Sequence, residues 1–442
     1  MKFYVHKLGC PKNDVDADYI SARLIDAGHT PAESAEEAES VVVNTCGFIQ
    51  TAKEESINEI LRISQLKKSA GLKTLYAAGC LTQRYGDEML KEMPELDGAF
   101  GHGALESIAK AVTESARVEK TIRIESRKLG YLSWKHRYIS DGFPYSYLKI
   151  SDGCDRGCTY CAIPGMRGKF RSRPLDSIVN EAQFLADNGK RELILVSQEA
   201  TLWGQELEGR PSLLDLLREL DRIEGIAWIR VMYLYPAQMD QAVIDYLGSG
   251  TKTLPYFDLP LQHVNSAILR GMRRQVDRPR IEQILGMIRT TVPNATLRTT
   301  FIVGFPGETD DQFGELCDFV KEQQFDRMGV FPYSPEEGTP AAEYLEQVPD
   351  DVKAERVETL MAIQREIALE KNEAQLGQEF EVLIDEVTEG PSAEGRTVGD
   401  CPDIDQTVRV RGAKVNVGDI VTVTIDSVEG YDLIGTVRRV DR

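Results

Sequence analysis

Apolar and polar positions along this chain follow two periods, and the period changes at a few sharp places. Residues 2–8 form an extended apolar-rich run, 14–27 repeat at helical spacing, and 40–44 carry the unbroken run Val41-Val42-Val43. Residues 53–68 are helical again and 74–78 are a further strand. Apolar strands alternating with helices predict a doubly wound parallel sheet. Each strand runs into a cysteine: Gly9-Cys10, Thr45-Cys46-Gly47 and Gly79-Cys80. The cysteines recur about every 35 residues, the size of one βαβ unit. All three therefore fall past the carboxyl edge of the sheet, where open α/β folds bind ligands. One such cysteine alone reads as a core thiol; three at equivalent positions predict a site one ligand short of four.

Residues 117–143 are charged and aromatic without a period, which predicts a connector. Alternation resumes at Tyr147. Helical patterns lie at 175–188, 212–223, 237–249, 278–290 and 309–323, and strand patterns at 148–150, 192–197, 227–233, 256–259, 296–303 and 328–332. About six βα units predict a partial (β/α) barrel with its chemistry at the carboxyl ends of the strands. Residues 352–374 place Val352, Val357, Leu360, Ile363 and Ile367 at helical spacing, as a docking helix does. After Gly377 the β period returns at 379–387, 407–410, 421–428 and 433–440, and predicts a small antiparallel β-barrel. The expected division is 1–115, a connector 116–146, 147–345, a linker helix 346–376 and 377–442.

Composition narrows the classes. A chain of 442 residues exceeds one compact core. Its net charge of -19 disfavours nonspecific nucleic-acid binding and favours a basic partner. The sequence has no signal-like start and no apolar run long enough to span a bilayer, so no membrane and a cytoplasmic location are expected. Eight cysteines in a reducing compartment read as metal ligands rather than a disulfide scaffold. Cys317 fits a helix core, and Cys401 reads as a free loop thiol.

The remaining three thiols are Cys154, Cys158 and Cys161, spaced C-x3-C-x2-C directly after a strand. Thiolates select zinc or iron-sulfur clusters. A structural zinc site is closed by a fourth nearby Cys or His, which this loop lacks. Three thiolates on a 4Fe-4S cluster leave one iron open to a cofactor or substrate. A zinc knuckle or a loop of buried thiols remains the alternative.

With Gly153, Gly157 and Tyr160 beside its thiols, the loop resembles that of the radical S-adenosylmethionine (AdoMet) enzymes. The whole order of parts resembles the methylthiotransferase family among them: cluster domain, radical AdoMet barrel and a TRAM domain, which is an OB-like barrel. The stretches MRGKFRSRP, DLPLQHVNSAILRGMRR from Asp258, FPYSPEEGTPA from Phe331 and GRTVGDCPDIDQTVRV from Gly395 are similar to one branch of it. That branch modifies an aspartate of small-subunit ribosomal protein S-twelve. The other modifies adenosine beside the tRNA anticodon, and is the alternative.

The resemblance implies two 4Fe-4S clusters, one on Cys154, Cys158 and Cys161 that also binds AdoMet, and one on Cys10, Cys46 and Cys80. The β-carbon of aspartate has a C–H bond no side-chain base ionises, so a radical is required, generated from AdoMet with an electron from a low-potential donor such as flavodoxin or ferredoxin. No catalytic residue beyond the cluster ligands is expected. Tyr160, Ser197, Gln198, Glu199 and Gly304 are implied as AdoMet contacts. For His263 and for the run Arg167, Lys169, Arg171 and Arg173, a structural and a functional role both stay open.

Charge gives a separate reading of the substrate. From 378 to 442 the chain has 14 Asp or Glu against 7 Lys or Arg, about -7. Gripping tRNA calls for a basic patch. An acidic TRAM barrel suits a very basic ribosomal protein.

Overall fold

The computed structural model describes residues 1–102, 104–114, 121–123, 137–388 and 392–441. The N-terminal sheet has six parallel strands in the order Thr30–Pro31, Lys2–Lys7, Ser40–Thr45, Thr74–Gly79, Gly98–Gly101 and Thr121–Arg123. Alternate side chains sort to its two faces. Val42, Tyr76 and Ala78 pack under the helices Pro11–Asp26 and Leu105–Thr113, while Val41, Val43, Leu75 and Ala77 meet Ile60, Ile63 and Met89 of Gln50–Ser64 and Cys80–Glu92. The edge strand Thr121–Arg123 lies in the expected connector. A strand of three residues is too short to show a period. Residues 115–120 and 124–136 of that connector lie outside the described residues.

The second unit is an open barrel of six strands in two parallel sheets. Tyr145–Lys149, Glu192–Val196 and Trp228–Val231 form one; Tyr256–Gln262, Thr296–Val303 and Arg327–Pro332 form the other. Across the seam, Leu234 N donates to Asp258 O at 2.9 Å. Leu148, Leu193, Leu195, Ile229 and Phe257 face the surrounding helices, and the helix Asp350–Glu373 adds Leu360 and Ile367 to that layer. Tyr145, Tyr147, Ile194, Val196, Trp228 and Tyr256 point the other way and join the core under the first helix. One apolar mass therefore connects the N-terminal sheet to the inside of the barrel.

The C-terminal strands Glu379–Val387, Ser392–Thr397, Val408–Arg411, Asp432–Asp441 and Ile420–Glu429 close into a barrel in that order. Its pairs are antiparallel except Val408–Arg411 with Asp432–Asp441, which is parallel. The strand Ser392–Thr397 escapes the sequence pattern because SAEGRT has almost no apolar side chain to alternate. The following loop enters the barrel of the second unit. Arg327 Nε donates to Asp400 Oδ1 at 3.0 Å, Tyr256 Oη to Asp405 Oδ2 at 2.6 Å, and Arg396 Nη1 to Glu192 Oε2 at 2.7 Å. Cys401, expected as a free loop thiol, is unbonded but buried, 1% exposed, because this loop is a plug. No described helix is long and apolar enough to cross a membrane.

Candidate functional site

Close approach of three loops brings Cys10, Cys46 and Cys80 together. Gly9 has φ +91, and a Cβ there would lie 2.7 Å from Cys46 Cβ. Gly79 has φ +100, and a Cβ there would lie 2.7 Å from Thr45 O. Only glycine fits either position. Asn13, 1% exposed, staples the loops: its Nδ2 donates to Leu8 O at 2.9 Å and Thr45 O at 3.1 Å, and the Cys80 thiol approaches its Oδ1 at 4.0 Å. Burial pushes the Cys46 thiol up to about 12, helped by Cys10 and Cys80. Burial also raises Cys80, against the nearby Arg167 guanidinium.

The second trio follows strand Tyr145–Lys149. Cys154 N donates to Gly168 O and Cys161 N to Cys158 O, each at 3.1 Å, which folds the loop back on itself. Burial pushes Cys154 up to about 11 and Cys161 to about 12, with Cys158 adding to both. Arg274 crosses to this loop: its guanidinium lies 3.8 Å from Cys158 Sγ, donates to Pro260 O at 2.6 Å and stacks over Tyr235. Cys80 of the first trio packs against Ala162, the residue after Cys161, and against Met166.

Among the described residues no three His, Cys, Asp or Glu close on a point as a single ion requires. The fit of a cluster therefore rests on donor chemistry, two sets of three converging thiols each without a fourth residue. The fit of a polar cofactor rests on unpartnered buried atoms. Ser197 Oγ, both amide atoms of Gln198 and Tyr333 Oη have no partner at the carboxyl ends of the barrel strands. Glu199, by contrast, spends both oxygens on Arg156. Tyr160 packs with Ile268, Met272, Phe305 and Tyr333. At Gly304 the close neighbour is Lys353, whose Cγ would lie 2.3 Å from an added Cβ. His263 is buried, with Nδ1 accepting from Asn265 N at 2.9 Å, so that ring nitrogen serves the turn.

Arg167 and Arg173 of the basic run are each 2% exposed or less and bridge domains. Arg167 donates to Asn13 Oδ1 at 2.7 Å and pairs with Asp16 and Asp152 at 3.2 Å; Arg173 pairs with Glu181 and reaches Tyr19 Oη at 3.2 Å. Glu336 makes a second bridge, taking Lys53 and Arg84 at 2.9 Å each. Periodicity carried no signal for Asn13 or Arg84, and the stretches holding Arg274 and Glu336 stood out by resemblance alone; all four meet residues distant in the chain.

Residues 148–320 match the Radical SAM superfamily, 2–101 the uncharacterized protein family UPF0004 and 376–437 the TRAM domain. A ribosomal protein uS12 methylthiotransferase RimO from Clostridioides difficile is 42% identical over 438 residues, 99% of this chain and 99% of its own. The protein of that name from Syntrophomonas wolfei is 43% identical over 429 residues, 97% of this chain and 98% of its own. Among solved structures, the radical S-adenosylmethionine methyltransferase TsrM from Kitasatospora setae, with cobalamin and a 4Fe-4S cluster bound, has a TM-score of 0.58 at 15% identity, covering 77% of this chain and 76% of that one. The radical enzyme OxsB has a TM-score of 0.51 at 10% identity, covering 82% and 56%. Both are likenesses of fold.

Proposed function

The chain belongs to the RimO family of ribosomal protein uS12 methylthiotransferases, and from that premise we propose that it inserts a methylthio group at the β-carbon of an aspartate in uS12. It is a radical AdoMet enzyme. In this reading Cys154, Cys158 and Cys161 hold one 4Fe-4S cluster and Cys10, Cys46 and Cys80 a second. Such a cluster with AdoMet supplies a carbon radical able to break an unactivated C–H bond, and a second cluster supplies a place to hold sulfur. The single observation that carries the reading is the packing of Cys80 on Ala162 and Met166, which brings the first cysteine set against the loop that bears the second.

The chain's own residues do the positioning. Ser197 and Gln198 offer unsatisfied polar groups to AdoMet. Tyr160 and Gly304 lie on the adenine side of the same site in this reading. Glu199 orients Arg156 across the cluster loop. The Glu336 bridge and the Arg167 network tie the N-terminal domain to the domain of the second cysteine set.

The substrate meets the C-terminal barrel, and a low-potential flavodoxin or ferredoxin in the cytoplasm reduces the enzyme. Of the carboxylates in that barrel, Asp385, Asp400 and Asp405 already face Arg396, Arg327 and Arg298, so the docking charge comes from the others, such as Glu379, Glu381 and Glu386, which are exposed. The test is anaerobic incubation of reconstituted enzyme with AdoMet, sulfide and reductant, with uS12 and unmodified tRNA in separate vessels. Mass spectrometry should find SCH3 in place of one hydrogen on a uS12 aspartate, lost with Cys10→Ala or Cys158→Ala. Modification of tRNA alone refutes the substrate.

A further inference from the structure

Lys12 lies two residues past Cys10 in the first turn of helix Pro11–Asp26, yet its side chain reaches out of the N-terminal domain. Its Nζ donates to the Ser197 carbonyl at 3.0 Å, at the carboxyl end of strand Glu192–Val196, and stands 3.7 Å from the centre of the Tyr233 ring. The residue is 7% exposed. An ammonium has three N–H donors. One serves Ser197, one faces the ring, and among the described residues no carboxylate pairs with the charge.

Its neighbours differ. Lys7, Arg137, Lys149, Arg167 and Arg173 each hold an Asp or Glu. A buried cation is ordinarily paired, because desolvation without an anion is costly. Lys12 thus carries a charge that no carboxylate among the described residues answers, and the nearby Cys10 is taken up by its cluster in the reading above. Tyr233 supports the same conclusion. Its φ is +62, with its N–H held at 2.8 Å by Asp258 Oδ2. A bulky side chain takes the left-handed region only where its surroundings impose it, and such positions cluster at ligand clamps.

We propose that Lys12, seated on Tyr233 and the Ser197 carbonyl, binds the side-chain carboxylate of the substrate aspartate and so selects aspartate as the residue modified. This rests on the uS12 reading above. The β-carbon is bonded directly to that carboxylate, so anchoring the one places the other at the boundary between the N-terminal cysteines and the barrel mouth. AdoMet also carries a carboxylate, on its methionine end. The neighbour of the radical loop is Arg274, whereas Lys12 stands on the helix that begins at Cys10, which favours the protein substrate.

The test measures affinities of the anaerobic, cluster-loaded enzyme by calorimetry. The probes are uS12, uS12 with its target aspartate changed to asparagine, and AdoMet. A charge-assisted contact predicts that the unaltered enzyme binds aspartate uS12 roughly 10- to 100-fold more tightly than the asparagine form. Lys12→Met should abolish that preference, Lys12→Arg should keep most of it, and AdoMet affinity, iron content and cluster reduction potentials should stay as before. Equal affinity of the unaltered enzyme for the two uS12 forms overturns the proposal even where Lys12→Met fails to retain iron. A fall in AdoMet affinity assigns the anion to the cofactor and also overturns it, as does a shifted cluster potential with uS12 affinity unchanged. If the unaltered enzyme leaves uS12 unmodified in the incubation described above, the family reading fails with it; modification without aspartate preference sinks only the role of Lys12.

Discussion

Replacing Asn13 with alanine removes the amide N–H donors to Leu8 O and Thr45 O, at 2.9 and 3.1 Å, and the oxygen that accepts from Arg167 at 2.7 Å. Those two carbonyls precede Cys10 and Cys46, so the loss falls on the loops that carry thiols. A buried acceptor stripped of its donor costs about 1–3 kcal/mol. Carbonyls keep a second lone pair and the loops relax, so the pair together costs about 3 kcal/mol. That is roughly a 100-fold change in a local opening equilibrium. Native-state hydrogen exchange of the metal-free, reduced protein reads it directly. Peptides spanning Cys10, Cys46 and Cys80 should lose protection together by that factor, while the strand Ile420–Glu429 in the C-terminal barrel keeps its protection. Faster exchange at one loop alone, or at none, would show that Asn13 is not what joins the three loops.

Arg167→Met should destabilise the junction of the first two domains by about 3–5 kcal/mol, because it leaves Asp16 and Asp152 buried with fewer cations; an unchanged denaturation midpoint refutes this. Burial pushes the Asp14 carboxyl up to about 6. Its folded pKa lies above the unfolded one, so its favourable contribution is complete below about pH 4 and is lost as pH rises through the folded value. Asp14→Asn should accordingly stabilise the protein at pH 7, by at most about 3 kcal/mol, and have no effect in acid; urea midpoints at the two pH values decide it. Arg327→Met leaves Asp400 buried without its partner, and exchange of the loop from Val398 to Asp405 should rise roughly tenfold or more.

The sequence by itself determined the order of the three domains and singled out six cysteines in two sets of three. Strands and helices write their period into neighbouring residues, and the cysteines follow strand ends at regular intervals. The AdoMet barrel and the TRAM strands were legible for the same reason, apart from the polar Ser392–Thr397, whereas the N-terminal sheet holds three strands the pattern missed, Thr30–Pro31, Gly98–Gly101 and Thr121–Arg123, each too short to show a period. The role of the basic run was not legible. Arg167 and Arg173 look like a solvated loop until the first helix brings Asn13, Asp16 and Tyr19 against them. The same holds for the plug formed by Asp400 and Asp405, and for Lys12, whose partners Ser197 and Tyr233 are far away in the chain. Tertiary structure alone decided these pairings, because a buried charge is defined by which side chains desolvate it and which remain to answer it, and neither is a property of its neighbours in sequence.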